Sequence, residues 1–107
     1  MIKKINKTKE VDMQITFMSQ QWTIRDAEPR ELVDCLGLCD PKTNTIIIDP
    51  ELQGWVRLQT IFHEVFHIWE MTMHQCLTEG QVDTMASAMI HCLKENPQLI
   101  KLIEEEQ

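Results

Sequence analysis

The chain has 107 residues, enough for one domain with a modest core. Its 43% apolar and 25% charged residues are those of a soluble globular protein rather than a disordered one. A net charge of −7 argues against nucleic-acid binding, which uses a basic face, and no apolar run approaches the roughly 20 residues of a membrane span.

In chain order, "MIKKINKTKE" holds four lysines within nine residues. It reads as a solvated basic tail over residues 1–10, followed by a single domain over 11–107. No apolar stretch follows these charges as a secretory signal requires, so a cytoplasmic protein is expected. Residues 11–18, "VDMQITFM", alternate as a strand with Val11, Met13, Ile15 and Phe17 on one face. "SQQ" then turns the chain into a second strand, "WTIRDAE". The turn chemistry of "DPKTN" and the β-branched "TIIID" predict a hairpin of Leu36–Cys39 with Thr45–Asp49.

Asp49 followed by Pro50 has the form of a helix cap, although Gly54 can delay the helix to Trp55. From there Leu58, Ile61, Phe62, Val65 and Trp69 recur at helical spacing and predict a helix to about Met73. Thr78 and Gln81 match a capping box that opens a second helix over Glu79–Glu95, and Pro97 starts a short terminal helix. The fold class is therefore α+β: small antiparallel strands or hairpins first, then two packed helices. Without a secretory signal, Cys35, Cys39, Cys76 and Cys92 are expected as reduced thiols. Cys35 and Cys39 have a spacing a metal could use. With no second close pair, all four read as small buried core thiols.

The chemistry concentrates in Ile61–Glu70, "IFHEVFHIWE". At 100° per residue, Leu58, Phe62, Val65 and Trp69 point one way, while His63 and His67 point nearly opposite, on adjacent turns. Two imidazoles so placed can reach one metal ion, and Glu64, beside His63, can reach a water on that metal. This is H-E-x-x-H, the zincin motif. Shuffling this composition yields the pattern in roughly 1–2% of chains, so chance is the weaker explanation.

Zinc needs at least three protein ligands. His74 lies on the face of His67 but about 10 Å further along a continuing helix, and no glycine between them turns the chain back. His74 therefore reads as a helix-end residue. Glu79 begins the next helix after a short connector, with Asp83 one turn later on the same face. Glu79 is the expected third ligand, and Asp83 the carboxylate that accepts an N–H from a ligand imidazole. The exchange of these two roles is the alternative.

"HEVFH" followed by "EGQVDTMA" resembles the minimal gluzincin pattern of the ImmA/IrrE-type metallopeptidases and their small phage relatives. "GLCDPKTNTIIID" is similar to the hairpin before the zinc helix in the phage proteins. The resemblance covers roughly residues 13 to 97. It implies a minimal zincin core in which His63, His67 and Glu79 bind Zn2+, Glu64 is the general base, and Asp83 supports a ligand. It further implies hydrolysis of a peptide bond in a protein or peptide substrate.

One departure is the lack of tyrosine, which leaves His74, His91 or Arg57 as candidate donors to a developing oxyanion. The alternative function is a zinc-stabilised protein-binding module with little turnover, since small domains are often held together by a metal.

Overall fold

A computed structural model describes residues 12–106; the basic tail, Val11 and Gln107 lie outside them. Strand β1 (Met13–Phe17) pairs antiparallel with β2 (Gln20–Asp26), Ile15 standing opposite Trp22. The turn between them is Met18–Ser19, both at positive φ (49° and 72°), one step before the expected "SQQ". Two consecutive left-handed residues give the twist that matches a two-residue hairpin.

Strands β3 (Gly37–Asp40) and β4 (Thr45–Ile48) form the second hairpin, as the sequence predicts. The hairpins are joined by parallel pairing of β2 with β4, giving the order β1-β2-β4-β3. The sheet is therefore mixed rather than purely antiparallel. The crossover is the loop over residues 27–36, where Glu31 accepts from both the Arg25 guanidinium and the Glu28 N–H. Trp22 and Ile24 of β2 and Ile46 and Ile48 of β4 make the core with Ile68 from the first helix.

Three helices follow: α1 (Gly54–Thr72), α2 (Glu79–Glu95) and α3 (Pro97–Glu105). Asp49 does not cap α1. Its Oδ1 accepts the Glu51 N–H and its carbonyl the Leu52 N–H, closing a separate turn, and the N-cap is Gln53. Gly54 at φ +61° is what resets the chain direction there. Salt bridging of Arg57 to Asp26, at 2.6 Å, ties the start of α1 to the end of β2.

At its other end α1 closes in a Schellman motif. Gln75 N–H bonds the Glu70 carbonyl (2.9 Å) and His74 N–H the Met71 carbonyl (3.3 Å), with His74 at φ 56°. Helix α2 then opens on the predicted capping box of Thr78 and Gln81 and runs antiparallel to α1. Trp55 stacks on His91 at one end of the pair, and His63 meets Glu79 at the other.

The predicted apolar stripe on α1 is displaced. Leu58 is exposed, and Phe62, Val65 and Trp69 are only partly buried. The buried α1 residues are Thr60, Glu64, Phe66 and Ile68. The cause is that α1 has two packing partners. Ile61, Val65 and Ile68 meet the sheet, while Phe62 and Phe66 meet α2 through Val82 and Ala86. Trp69 packs against both clusters, and the histidines lie on the opposite face of α1.

The cysteines also differ from expectation. Cys35, Cys76 and Cys92 are exposed, because they fall in the crossover loop, in the α1–α2 connector and on the outer side of α2. Cys39 alone packs against the core. No helix among the described residues is long and apolar enough to cross a membrane.

Candidate metal centre

The notch between the sheet and α2 brings His63, His67 and Glu79 together. One ligand atom from each lies within 4.8 Å of the others. Glu79 Oε1 is 3.0 Å from His63 Nε2, and its Oε2 is 3.2 Å from His67 Nε2. One carboxylate therefore faces both imidazoles. The capping box explains how: Glu79 is the first residue of α2, fixed by the Thr78–Gln81 bonds on either side of it.

The opposite ring nitrogens are also held. Asp83 Oδ1 lies 3.1 Å from His63 Nδ1 and accepts Gln59 Nε2–H at 2.7 Å. Glu70 Oε1 lies 2.9 Å from His67 Nδ1, and Glu70 Oε2 accepts the Leu77 N–H at 2.7 Å. An acceptor at Nδ1 favours the tautomer whose Nε2 lone pair is free for a metal. The group of donors fits a metal ion: two imidazoles and a carboxylate converge, and each ring is oriented from behind.

Sequence reading missed Glu70 and Gln59. Both carry a usable signal. Glu70 is three residues after His67, and Gln59 is four before His63, so each shares a helix face with a ligand. It is Asp83, however, that receives the Gln59 bond, and that link depends on how α1 and α2 dock.

Glu64 sits differently from the histidines. It is 7% exposed and packs beneath β3, where a Cβ added to Gly37 would lie 3.3 Å from Glu64 Cγ and Oε2. Burial pushes the Glu64 carboxyl above the usual carboxylate range, and the charges of His63 and His67 offset only part of that. Burial also raises the Cys39 thiol, with Glu64 and Asp40 adding to it, to about 12. A thiol so high stays protonated near neutrality in the metal-free protein, and the group that converges is His63, His67 and Glu79, without Cys39.

Two concavities of about 240 and 360 Å³ flank this centre, on the His63 and His67 sides, and both are lined by Cys35, Gly37, Glu64 and Glu79. A larger one of about 650 Å³ adjoins them through Cys35 and Leu36 and is lined by the crossover loop, Asp49 and Pro50. It contains no imidazole, so the chemistry belongs to the smaller cleft despite its size. The three candidate oxyanion donors do not line that cleft. Arg57 is committed to Asp26 and to the carbonyls of Asp49 and Leu52, His91 to Trp55, and His74 to the turn.

The chain matches no protein-family profile, no curated protein and no solved structure.

Proposed function

We propose that the protein is a zinc-dependent peptidase in which His63, His67 and Glu79 hold the metal and Glu64 is the general base. The observation that carries this reading is Glu64 itself. A purely structural site has no use for a buried carboxylate beside two imidazoles, whereas a base that must accept and return a proton near neutrality needs a raised proton affinity. Two imidazoles and one carboxylate suit zinc with an open coordination position. The likeness of "HEVFH" and "EGQVDTMA" to the ImmA/IrrE-type pattern supports the same assignment.

When bound, zinc supplies an acidified water and polarises a carbonyl. The chain does the rest. Asp83 and Glu70 hold the imidazoles by Nδ1, burial beneath Gly37 keeps Glu64 basic, and Glu64 takes a proton at its carboxylate and delivers it to the leaving amine. Strand β3 suits a peptide substrate: among the described residues it is an outer strand with one neighbour, β4, and it runs past the centre, so an extended chain can pair along it.

The test joins metal content to turnover. Purified protein should carry about one zinc per chain, and His63→Ala or His67→Ala should lose it. Glu64→Gln should keep the zinc and the fold while peptide cleavage falls by orders of magnitude. Loss of zinc in Glu64→Gln would make that residue a ligand and end this assignment.

A second reading, a zinc-stabilised binding module, rests on one observation: Arg57, His74 and His91 stand away from the cleft. It takes the lead if wild-type protein binds zinc, gains stability from it, and cleaves nothing.

A further inference from the structure

Glu70 joins His67 to the connector between α1 and α2, and it does so with three separate acceptor atoms. Its Oε1 faces His67 Nδ1 at 2.9 Å, its Oε2 accepts the Leu77 N–H at 2.7 Å, and its carbonyl accepts the Gln75 N–H at 2.9 Å. The side chain is 14% exposed, so water competes weakly for these bonds.

The two partners matter because of where they lie. His67 is a ligand on α1, one turn before Glu70. Leu77 immediately precedes Thr78, the N-cap of α2, and Glu79 is the next residue after that cap. We propose that Glu70 is a positioning residue that fixes the orientation of His67 and, with the same carboxylate, anchors the connector that delivers Glu79 to it. The inference rests on the reading of His67 and Glu79 as metal ligands.

Geometry explains why a carboxylate is needed. Both Glu70 partners are N–H donors, so the position must offer two acceptors pointing in different directions. A glutamine there has one acceptor and one donor. It can satisfy His67 or Leu77, and it turns an N–H toward the other. An aspartate there would keep both acceptors but is one methylene shorter than the present span between α1 and the connector. The capping box would still start α2 in either variant, because Thr78 and Gln81 bond each other. What is lost is the register between that start and His67.

The experiment compares wild type, Glu70→Gln and Glu70→Asp by zinc competition with a chelator and by nitrogen-resolved NMR of the histidine side chains, in metal-free and zinc-loaded protein. The expected result is a 10–100-fold loss of zinc affinity in both variants, with altered His67 ring signals in the metal-free state and His63 signals preserved. A residue that merely ends a helix would lower the melting temperature and leave the His67 ring and the zinc affinity as they are; that outcome overturns the inference. If wild-type protein binds no zinc, the peptidase reading fails, and the metal-free ring signals still decide whether Glu70 orients His67.

Discussion

Gly37 and Glu64 approach so closely that strand β3 forms the roof of the buried carboxylate: an added Cβ would meet Glu64 Oε2 at 3.3 Å and Thr60 Cγ2 at 3.0 Å. The absence of a side chain, not a special backbone angle, is what the position requires. Thr60 cannot easily swing aside, because its hydroxyl is bonded to the Val56 carbonyl at 2.7 Å. Gly37→Ala should therefore push β3 outward, cost about 1–3 kcal/mol of stability, and wet Glu64. Denaturant unfolding measures the first effect. The second should appear as a fall in peptidase rate at unchanged zinc content; full rate in a destabilised variant would show that β3 does not shape the site.

The two acidic residues of α2 should separate cleanly. Glu79 touches both Nε2 atoms, whereas Asp83 touches His63 on the far side of its ring. Glu79→Ala should reduce zinc affinity nearly as much as loss of a histidine, and Asp83→Ala by roughly 10–100-fold with one site retained. Chelator titration of the two variants ranks them. A larger loss from Asp83→Ala would reverse the assignment.

The stability that zinc adds should grow with pH. In the metal-free protein, burial lowers the His67 pKa, but the Glu70 hydrogen bond and the charges of Glu64 and Glu79 outweigh it and the net shift is upward. Glu79 is held below its usual range chiefly by His63, Asp83 by Gln59 and then His63, and Glu70 by the Leu77 N–H and then His67. A raised His67 stabilises fully below its unfolded value of 6.5 and loses that contribution as pH climbs through the raised one. Buried Glu64, also raised, acts in the same direction. The depressed carboxylates stabilise above their unfolded values, 4.5 for Glu79, and lose that as pH falls. This cluster thus favours the metal-free fold most in mildly acid solution. Zinc needs neutral imidazoles, so its stabilisation grows with pH. The melting-temperature gap between loaded and metal-free protein should widen as pH is raised across the titration of His67. A constant gap would remove the imidazoles from the site.

His74 occupies the left-handed position of the Schellman motif, where glycine carries no Cβ cost. His74→Gly should stabilise the protein by about 1 kcal/mol and leave zinc affinity unchanged. Thermal unfolding and a zinc titration check both halves. Weaker zinc binding would bring His74 back as a contributor to the centre.

What the sequence made legible was short-range. The i, i+4 pair His63 and His67, the Thr78–Gln81 capping box and the β3–β4 hairpin each depend on a few adjacent residues, and the structure places them as read. The parallel pairing of β2 with β4 depends on how two hairpins dock, and no local pattern encodes it. The burial of Glu64 was hidden for the same reason, since it comes from a glycine 27 positions away in sequence. Cysteine positions misled because residue type was weighed without the loop and helix face on which each falls.

Among the described residues, strand β3 lies at the margin of the sheet, hydrogen-bonded along one side only. Outer strands exchange their amide protons through local opening, at a free energy well below that of global unfolding. The burial that raises the proton affinity of Glu64 would then depend on local opening of β3 rather than on the whole fold. A ligand strand laid along β3 would damp that opening, so occupancy of the cleft and the proton affinity of Glu64 would rise together.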